Sequence, residues 1–398
     1  MHTQTTHKSV KPQRRWDIDW LRIMAVLLLF LFHTARIFDI WEEFYVKNDQ
    51  LSHALTYLVG FMNPWHMPLF FLLAGASTWF ALRFRSGGEY LKERFKRLFI
   101  PFIFGVLVIV PLQSYLGLRS HSDYAESFWQ WYPRFFQLIP DGTDYFLGGH
   151  TWGHLWFIFH LFVYSLAALP LFLYLNGASG QRLIDRLAAF FSRPGAIFLF
   201  GVLLYAASPF PDIAGGNPIF YILVFVYGFI LMADARFGQA IDRHKAVALI
   251  LGPGVLACVM GLTGERPWPP GLPGWIEPIV DVYYDSGFAA WFFLIAILGY
   301  GKQFLNFING FLKYASEAAY PFYILHQTVI VVIGFYVVQW SASVLVKFVT
   351  IVVASLVVTT VLYDLLVRRI NVTRFLFGMR PKKKLPATPA PRPEGTTA

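Results

Sequence analysis

Apolar runs long enough to cross a bilayer, each closed by basic residues, constrain this 398-residue chain more than any other feature. About 20 apolar residues span the hydrocarbon core as a helix, and lipid leaves no partner for backbone left unpaired. Ten such helices are predicted, roughly at 18–40, 54–82, 98–118, 152–176, 196–208, 217–235, 246–263, 286–301, 317–339 and 344–367. The fold class is therefore all-α and polytopic. Hydrophobic residues at 56% and charged residues at 14% agree with that class and with no soluble one.

Orientation follows from the distribution of lysine and arginine, because cytoplasmic loops retain them. Alternate loops of the ten-helix scheme divide the basic residues 27 to 5, the smaller set being Lys47, Arg119, Arg134, Arg266 and Lys347. Both termini are thereby expected in the cytoplasm. Residues 1–15 read as a polar cytoplasmic segment, 16–380 as one membrane domain and 381–398 as a disordered cytoplasmic tail. The late, charge-flanked first run lacks a small-residue cleavage site and is expected to remain as a signal-anchor in the inner membrane. The formal charge of +10 is spread over loops rather than gathered on a soluble module, so no nucleic-acid partner is expected. A single cysteine, Cys258, excludes an internal disulfide and a cysteine-based metal site.

The first run carries ionisable groups at both ends: Asp19 and Arg22 before it, His33 and Arg36 after it. At about 100° per residue, the eleven steps from Arg22 to His33 return to within about 20° of one face, and at about 1.5 Å per residue they separate the two by about 16 Å. Such a stripe either marks a reaction or transport path, or consists of snorkelling charges and one satisfied histidine. In the second run, Asn63-Pro64-Trp65-His66-Met67-Pro68 breaks the helix near mid-span. His66 then faces the same cavity as His33 or satisfies freed backbone.

Arg83, Arg85, Lys92, Arg94, Lys96 and Arg97 follow, a cluster that either reports topology or holds the phosphates of a nucleotide-like donor. His150, His154 and His160 surround the fourth run; His150 and His154 are one turn apart if the helix starts early enough, but no carboxylate partner or HExxH accompanies them, and no metal is expected. Tyr320, Tyr323 and His326 share a helical face that reads as structural. Two outer segments stand out. Residues 119–151 carry Trp129, Trp131, Tyr132, Phe135 and Phe136, a sugar platform or an interfacial belt, and residues 263–285 form a constrained Pro/Gly-rich loop. Serine-hydrolase, Walker and dinucleotide motifs are missing.

With these residues in place, the chain resembles the integral-membrane acyltransferase family 3, most closely its glucan-biosynthesis branch. The resemblance rests on Asp19-x-Leu21-Arg22, the Arg22-x10-His33 spacing, the segment from Phe70-Phe71 to Gly75, Arg94-x-x-Arg97 with Pro101, His154-Leu155-Trp156-Phe157, Tyr323-Ile324-Leu325-His326 and a closing Arg374-Phe375-Leu376-Phe377-Gly378. It covers nearly the whole chain. Where the family often has Ser-Gly, this sequence has Ala74-Gly75, so a hydroxyl is absent there.

The resemblance implies an O-acyltransferase that takes an acyl group, succinyl in the glucan branch, from cytoplasmic acyl-CoA and delivers it to a hydroxyl of a periplasmic glucan. No tightly bound cofactor is implied. His33 is then the catalytic base, suited to it because an unperturbed imidazole titrates near pH 6.5, with a transient acyl-histidine equally open. Arg22 positions the donor, Asp19 holds Arg22, and Arg94 and Arg97 contact the CoA phosphates or organise the inner surface; His154, Trp156 and His326, with His66, which the resemblance does not carry over, are assigned to substrate binding. The competing reading is a transporter or flippase using the same His and Arg as a relay. The sequence leaves room for a homo-oligomer.

Overall fold

The computed structural model describes residues 15–41, 43–137, 148–256 and 287–382. The described residues form an all-helical membrane protein. Helices α1 (Trp16–Ala35), α2 (His53–Leu82) and α3 (Gly87–His121) are each long and apolar enough to cross a membrane. The next three candidates are bent pairs: α4 (Gly153–Ala167) with α5 (Leu169–Asn176) at 50°, α6 (Ala178–Phe191) with α7 (Ala196–Ala207) at 117°, and α8 (Pro218–Ala233) with α9 (Ala235–Gly254) at 107°. A shorter α10 (Phe288–Phe304) precedes two further long spans, α11 (Gly310–Val337) and α12 (Val344–Val367). By length and composition the described residues hold 5 membrane-spanning helices, or 8 if each bent pair counts as one.

Several predicted boundaries shift for identifiable reasons. The first helix was expected to reach residue 40 but ends at Ala35, because the carbonyls of Ile37 and Phe38 accept from the amides of Asn48 (2.9 Å) and Ser52 (2.7 Å) instead. Fully buried Asp39 pins this corner through Arg36 (2.7 Å) and Lys47 (2.5 Å). Burial lowers the Lys47 pKa, and its bond to Asp39 partly offsets that.

The basic stretch 83–97, expected as a loop, is largely helical. Ser86 and Glu89 form a reciprocal capping box, with Ser86 N donating to Glu89 Oε2 at 2.9 Å and Glu89 N to Ser86 Oγ at 3.3 Å. The helix therefore begins eleven residues before the predicted 98 and carries Arg94 and Arg97 on a rigid element. Two π-type turns, Phe95–Phe99 and Gly105–Ile109, lie beside Pro101 and Pro111, whose rings cannot close a regular turn.

The ten-helix scheme places no helix between residues 176 and 196, yet Ala178–Phe191 is an amphipathic helix that buries Ile184 and Ala188. Ion pairs and hydrogen bonds join it and its neighbours, Arg236 to Asp185 at 2.6 Å and Lys302 to Asp242 at 2.5 Å. Of the predicted seventh helix, residues 246–256 are seen; the rest, with Cys258 and the 263–285 loop, lies outside the described residues, as do most of the N-terminal segment and of the tail.

Helices α2 and α8 approach most closely. A Cβ on Gly75 would collide with the carbonyl oxygen of Phe225, and one on Gly228 with that of Leu72, so only glycine permits this contact. Along α12, Leu345, Val349, Val353, Val357, Val361 and Leu365 are exposed at every fourth position, an apolar stripe suited to lipid. Between α3 and α4 the aromatic segment divides: Trp131 and Phe135 are buried, while Trp129 is 77% and Phe136 41% exposed.

Candidate active site

Two cavities lie along the face of α1 that carries Arg22 and His33. The first, about 480 Å³, is lined by Arg22, Ser77, Arg94, Arg97, Glu317, Tyr320, Arg374 and Arg380 among others. The second, about 940 Å³, is lined by His33, Arg36, Asn63, His66, His150, His154, Trp156, Asp212 and Tyr221 among others. Tyr323 lines both. The single stripe expected from the sequence thus serves two chambers, one at each end.

In the arginine cavity five guanidinium groups surround one carboxylate. Arg22 donates to Ser77 Oγ at 2.6 Å and pairs with Asp19 at 3.3 Å. Arg94 donates to Thr78 Oγ1 at 3.0 Å while its guanidinium lies 4.7 Å above the Tyr90 ring. Arg97 and Arg380 share Glu93, at 3.2 and 3.8 Å, and Arg374 pairs with Glu317 at 2.9 Å. These contacts hold the guanidinium groups in place while leaving an excess of positive charge around the chamber, the requirement for binding a phosphate-bearing ligand. Asp19 lines neither cavity and acts through Arg22. The hydroxyl missing at Ala74 has a counterpart one turn on, because Ser77 faces this cavity.

Histidines from four helices gather at the wall of the second cavity, the histidine cavity, or directly behind it. His33 stands in the last turn of α1, and His66 lies on α2 between Pro64 and Pro68. His154 opens α4 and His326 sits in mid-α11. Their hydrogen bonds fix three of the four tautomers. His66 Nε2 is 2.8 Å from the Ala25 carbonyl and must donate to it. His154 Nε2 likewise donates to the Ile324 carbonyl at 3.0 Å, leaving Nδ1 to accept from Gln113 Nε2 at 3.4 Å. Gln113 is itself held by Thr328 at 2.5 Å and Gln327 at 2.9 Å. His326 Nδ1 donates to the Tyr323 carbonyl at 2.6 Å, so Nε2 carries the lone pair.

His33 differs. Its Nδ1 is buried without a hydrogen-bond partner, as is Nε2 of His326, and the two rings lie 5.1 Å apart. His326, 0% exposed, is not a wall residue of either cavity and packs between His33 and His154, 4.9 Å from the latter. An imidazole held among fixed neighbours, with an uncommitted nitrogen and an adjoining cavity, can take and return a proton.

The cavity's remaining walls are aromatic and polar. Trp156 and Tyr221 pack 5.5 Å apart, and the Gly215–Gly216 turn lies against the Trp156 ring. Asp212 precedes that turn, in which Ala214 takes the left-handed φ of 53°. Such walls suit a sugar, with apolar ring faces and a rim of hydroxyl groups.

The expected helical pairing of His150 with His154 does not form, because Gly153 at φ 51° breaks the path and no helix runs back to His150, although both line the histidine cavity. His160 donates from Nδ1 to its own helix at the Trp156 carbonyl, 2.9 Å away. Sequence reasoning missed Ser77, Asp212 and the cavity-lining role of Tyr320 and Tyr323, which it read as structural. A signal existed for Ser77: Asn63, His66, Phe70, Ala74 and Ser77 recur at three- and four-residue steps, and all line one cavity or the other.

The profile of a family described as an acyltransferase domain matches residues 15–364. The chain is similar to glucans biosynthesis protein C of Salmonella paratyphi A, Salmonella agona and Salmonella paratyphi B, 21% identical in each case over 94% of this chain and 97% of the relative. No solved structure matches it.

Proposed function

The chain belongs to this acyltransferase family, and from that premise we propose that it moves an acyl group, succinyl in the first instance, from cytoplasmic acyl-CoA to a hydroxyl of a periplasmic glucan. The observation that carries this reading is the placement of an arginine-lined and a histidine-lined cavity end to end along α1, with Arg22 in one and His33 in the other. In this reading Arg94 and Arg97 hold the CoA phosphates. Arg22, kept in place by Asp19 and Ser77, directs the pantetheine arm along the helix.

At the far end His33 takes the proton of the acceptor hydroxyl as its oxygen attacks the thioester carbonyl. The carbon–sulfur bond breaks, the ester bond forms, and the proton passes from His33 to the departing thiolate, giving free CoA and acylated glycan. Trp156, His66 and His154 contact the sugar, and His326 supports His33 from behind. The chain lies in the inner membrane with ten spans and both termini cytoplasmic, a scheme that rests on the basic-residue bias, the described helices themselves supplying 5 spans, or up to 8 with each bent pair as one.

Mass spectrometry of periplasmic glycans from cells with and without the protein tests the reading. Succinyl esters that depend on the protein and vanish in the His33→Ala variant are expected. Identical glycans in all three strains would overturn it. One observation favours a carrier instead: chambers on either side of a closed partition, with Pro64 and Pro68 interrupting α2 beside it, also suit alternating access. That reading requires a solute to cross without becoming covalently attached to glycan.

A further inference from the structure

The two cavities share only Tyr323 among their lining residues, and the residues that stand between them occur one turn apart on each of three helices. On α1, Val26 faces the arginine cavity and Leu29 the histidine cavity. On α2 the corresponding pair is Phe70 and His66, and on α4 it is Phe157 and His154. Tyr323 of α11 touches both chambers. The partition is one helical turn thick. Its centre is a closed triangle of rings, with centroids 5.5 Å apart for Phe70–Phe157, 5.5 Å for Phe157–Tyr323 and 6.1 Å for Phe70–Tyr323.

The rings are not equally fixed. Tyr323 is tied by its hydroxyl to the His154 carbonyl, and Phe157 packs edge-on against Phe71 at 4.7 Å. Phe70 has neither constraint. Its remaining ring neighbour is His66 at 5.5 Å, and it sits two residues after Pro68, which lacks the amide hydrogen that would close its turn of α2. Of the three rings, Phe70 is the one whose displacement breaks the fewest of these contacts, by a rotamer change rather than a domain movement.

We infer that Phe70 is the gate and acyl-size filter of the transfer path: the thioester arm reaches His33 by displacing the Phe70 ring from Phe157 and Tyr323, and the gap so opened admits short, slender acyl groups while rejecting bulky ones. This rests on the acyltransferase reading of the two cavities. The filter acts sterically, because the walls at this level are aromatic and aliphatic and offer an acyl chain no charge. Removing the ring therefore changes which donor is used, not how its phosphates are held.

The test pairs a selectivity measurement with one that needs no chemistry. Purified protein is assayed with acetyl-CoA, succinyl-CoA and benzoyl-CoA as donors. Phe70→Ala is expected to raise the benzoyl-to-acetyl transfer ratio by about tenfold or more, the scale on which apolar pockets discriminate by size. Phe70→Trp should lower transfer from the larger donors first. In parallel, Met67→Cys, on the wall of the histidine cavity, is placed in a Cys258→Ser background and exposed in vesicles to a small membrane-impermeant thiol reagent from the arginine side. Labelling should be absent with Phe70, present with Phe70→Ala and absent with Phe70→Trp. Unchanged donor ratios and unchanged labelling in folded variants, with acetyl transfer intact, would overturn the gate alone. A wild-type protein that transfers from none of the donors would instead overturn the acyltransferase reading, and the gate with it.

Discussion

The imidazoles of His33 and His326 lie 5.1 Å apart, on different helices, and each presents a buried nitrogen that no hydrogen bond occupies. A buried polar atom without a partner costs stability, commonly about 1–3 kcal/mol, and of these two rings it is His33 that borders the cavity. His33→Ala is expected to lower acyl transfer by about 10²–10⁴-fold, the range supplied by a positioned base, while expression and membrane insertion stay normal. Near-normal transfer would remove His33 from the reaction.

His326 has a different expected signature because it lines neither cavity. Trimming it to alanine leaves space behind His33 and His154, and loss of alignment on the ångström scale costs about 10²-fold. His326→Ala should therefore lower kcat, with the KM of donor and acceptor nearly unchanged. A selective rise in acceptor KM would place His326 in contact with the glycan instead.

Arg94 and Arg97 ride on a helix rather than a loop, so their guanidinium groups are held facing the smaller cavity. A hydrogen bond to a charged group contributes about 1.5–3 kcal/mol, equivalent to about tenfold or more in binding. Steady-state kinetics of Arg94→Ala and Arg97→Ala should show that rise in donor KM with acceptor KM unchanged. Equal values in variant and wild type would return both residues to a topological role.

Gly228 tests the fold independently of the chemistry. A methyl group there would meet the Leu72 carbonyl and the Ala76 amide on α2, backbone that cannot yield as a side chain can. Overpacking of this kind costs about 1–3 kcal/mol. Thermal unfolding in detergent should show Gly228→Ala melting below wild type, whereas Gly310→Ala, where nothing lies within 4 Å, should not.

Much of this arrangement was legible in the sequence because lipid makes helix placement a matter of hydropathy. The Arg22–His33 spacing placed both residues on one face of α1, and His66, left open between the His33 cavity and a bond to backbone, lines that cavity while donating to the Ala25 carbonyl. Charge counting alone misread 83–97 as a loop and left no helix between residues 176 and 196. It ignored the capping box at Ser86 and the apolar spacing of Ile184 and Ala188. The role of Tyr320 and Tyr323 was hidden for another reason: their shared face with His326 is visible in the sequence, but which neighbour that face of α11 meets is decided by tertiary packing. The partition at Phe70, Phe157 and Tyr323 was hidden most deeply, since its three rings come from segments far apart in the chain.

The central claim is that an acyl group enters on the arginine side and leaves on a sugar at the histidine side. Vesicles of known orientation, given acyl-labelled CoA on the Arg94 face and glucan on the His33 face, measure this directly. Label covalently attached to glucan, formed by wild type and lost in His33→Ala, is the predicted result. Label that crosses the membrane unattached, or none that reaches the glucan, would contradict it.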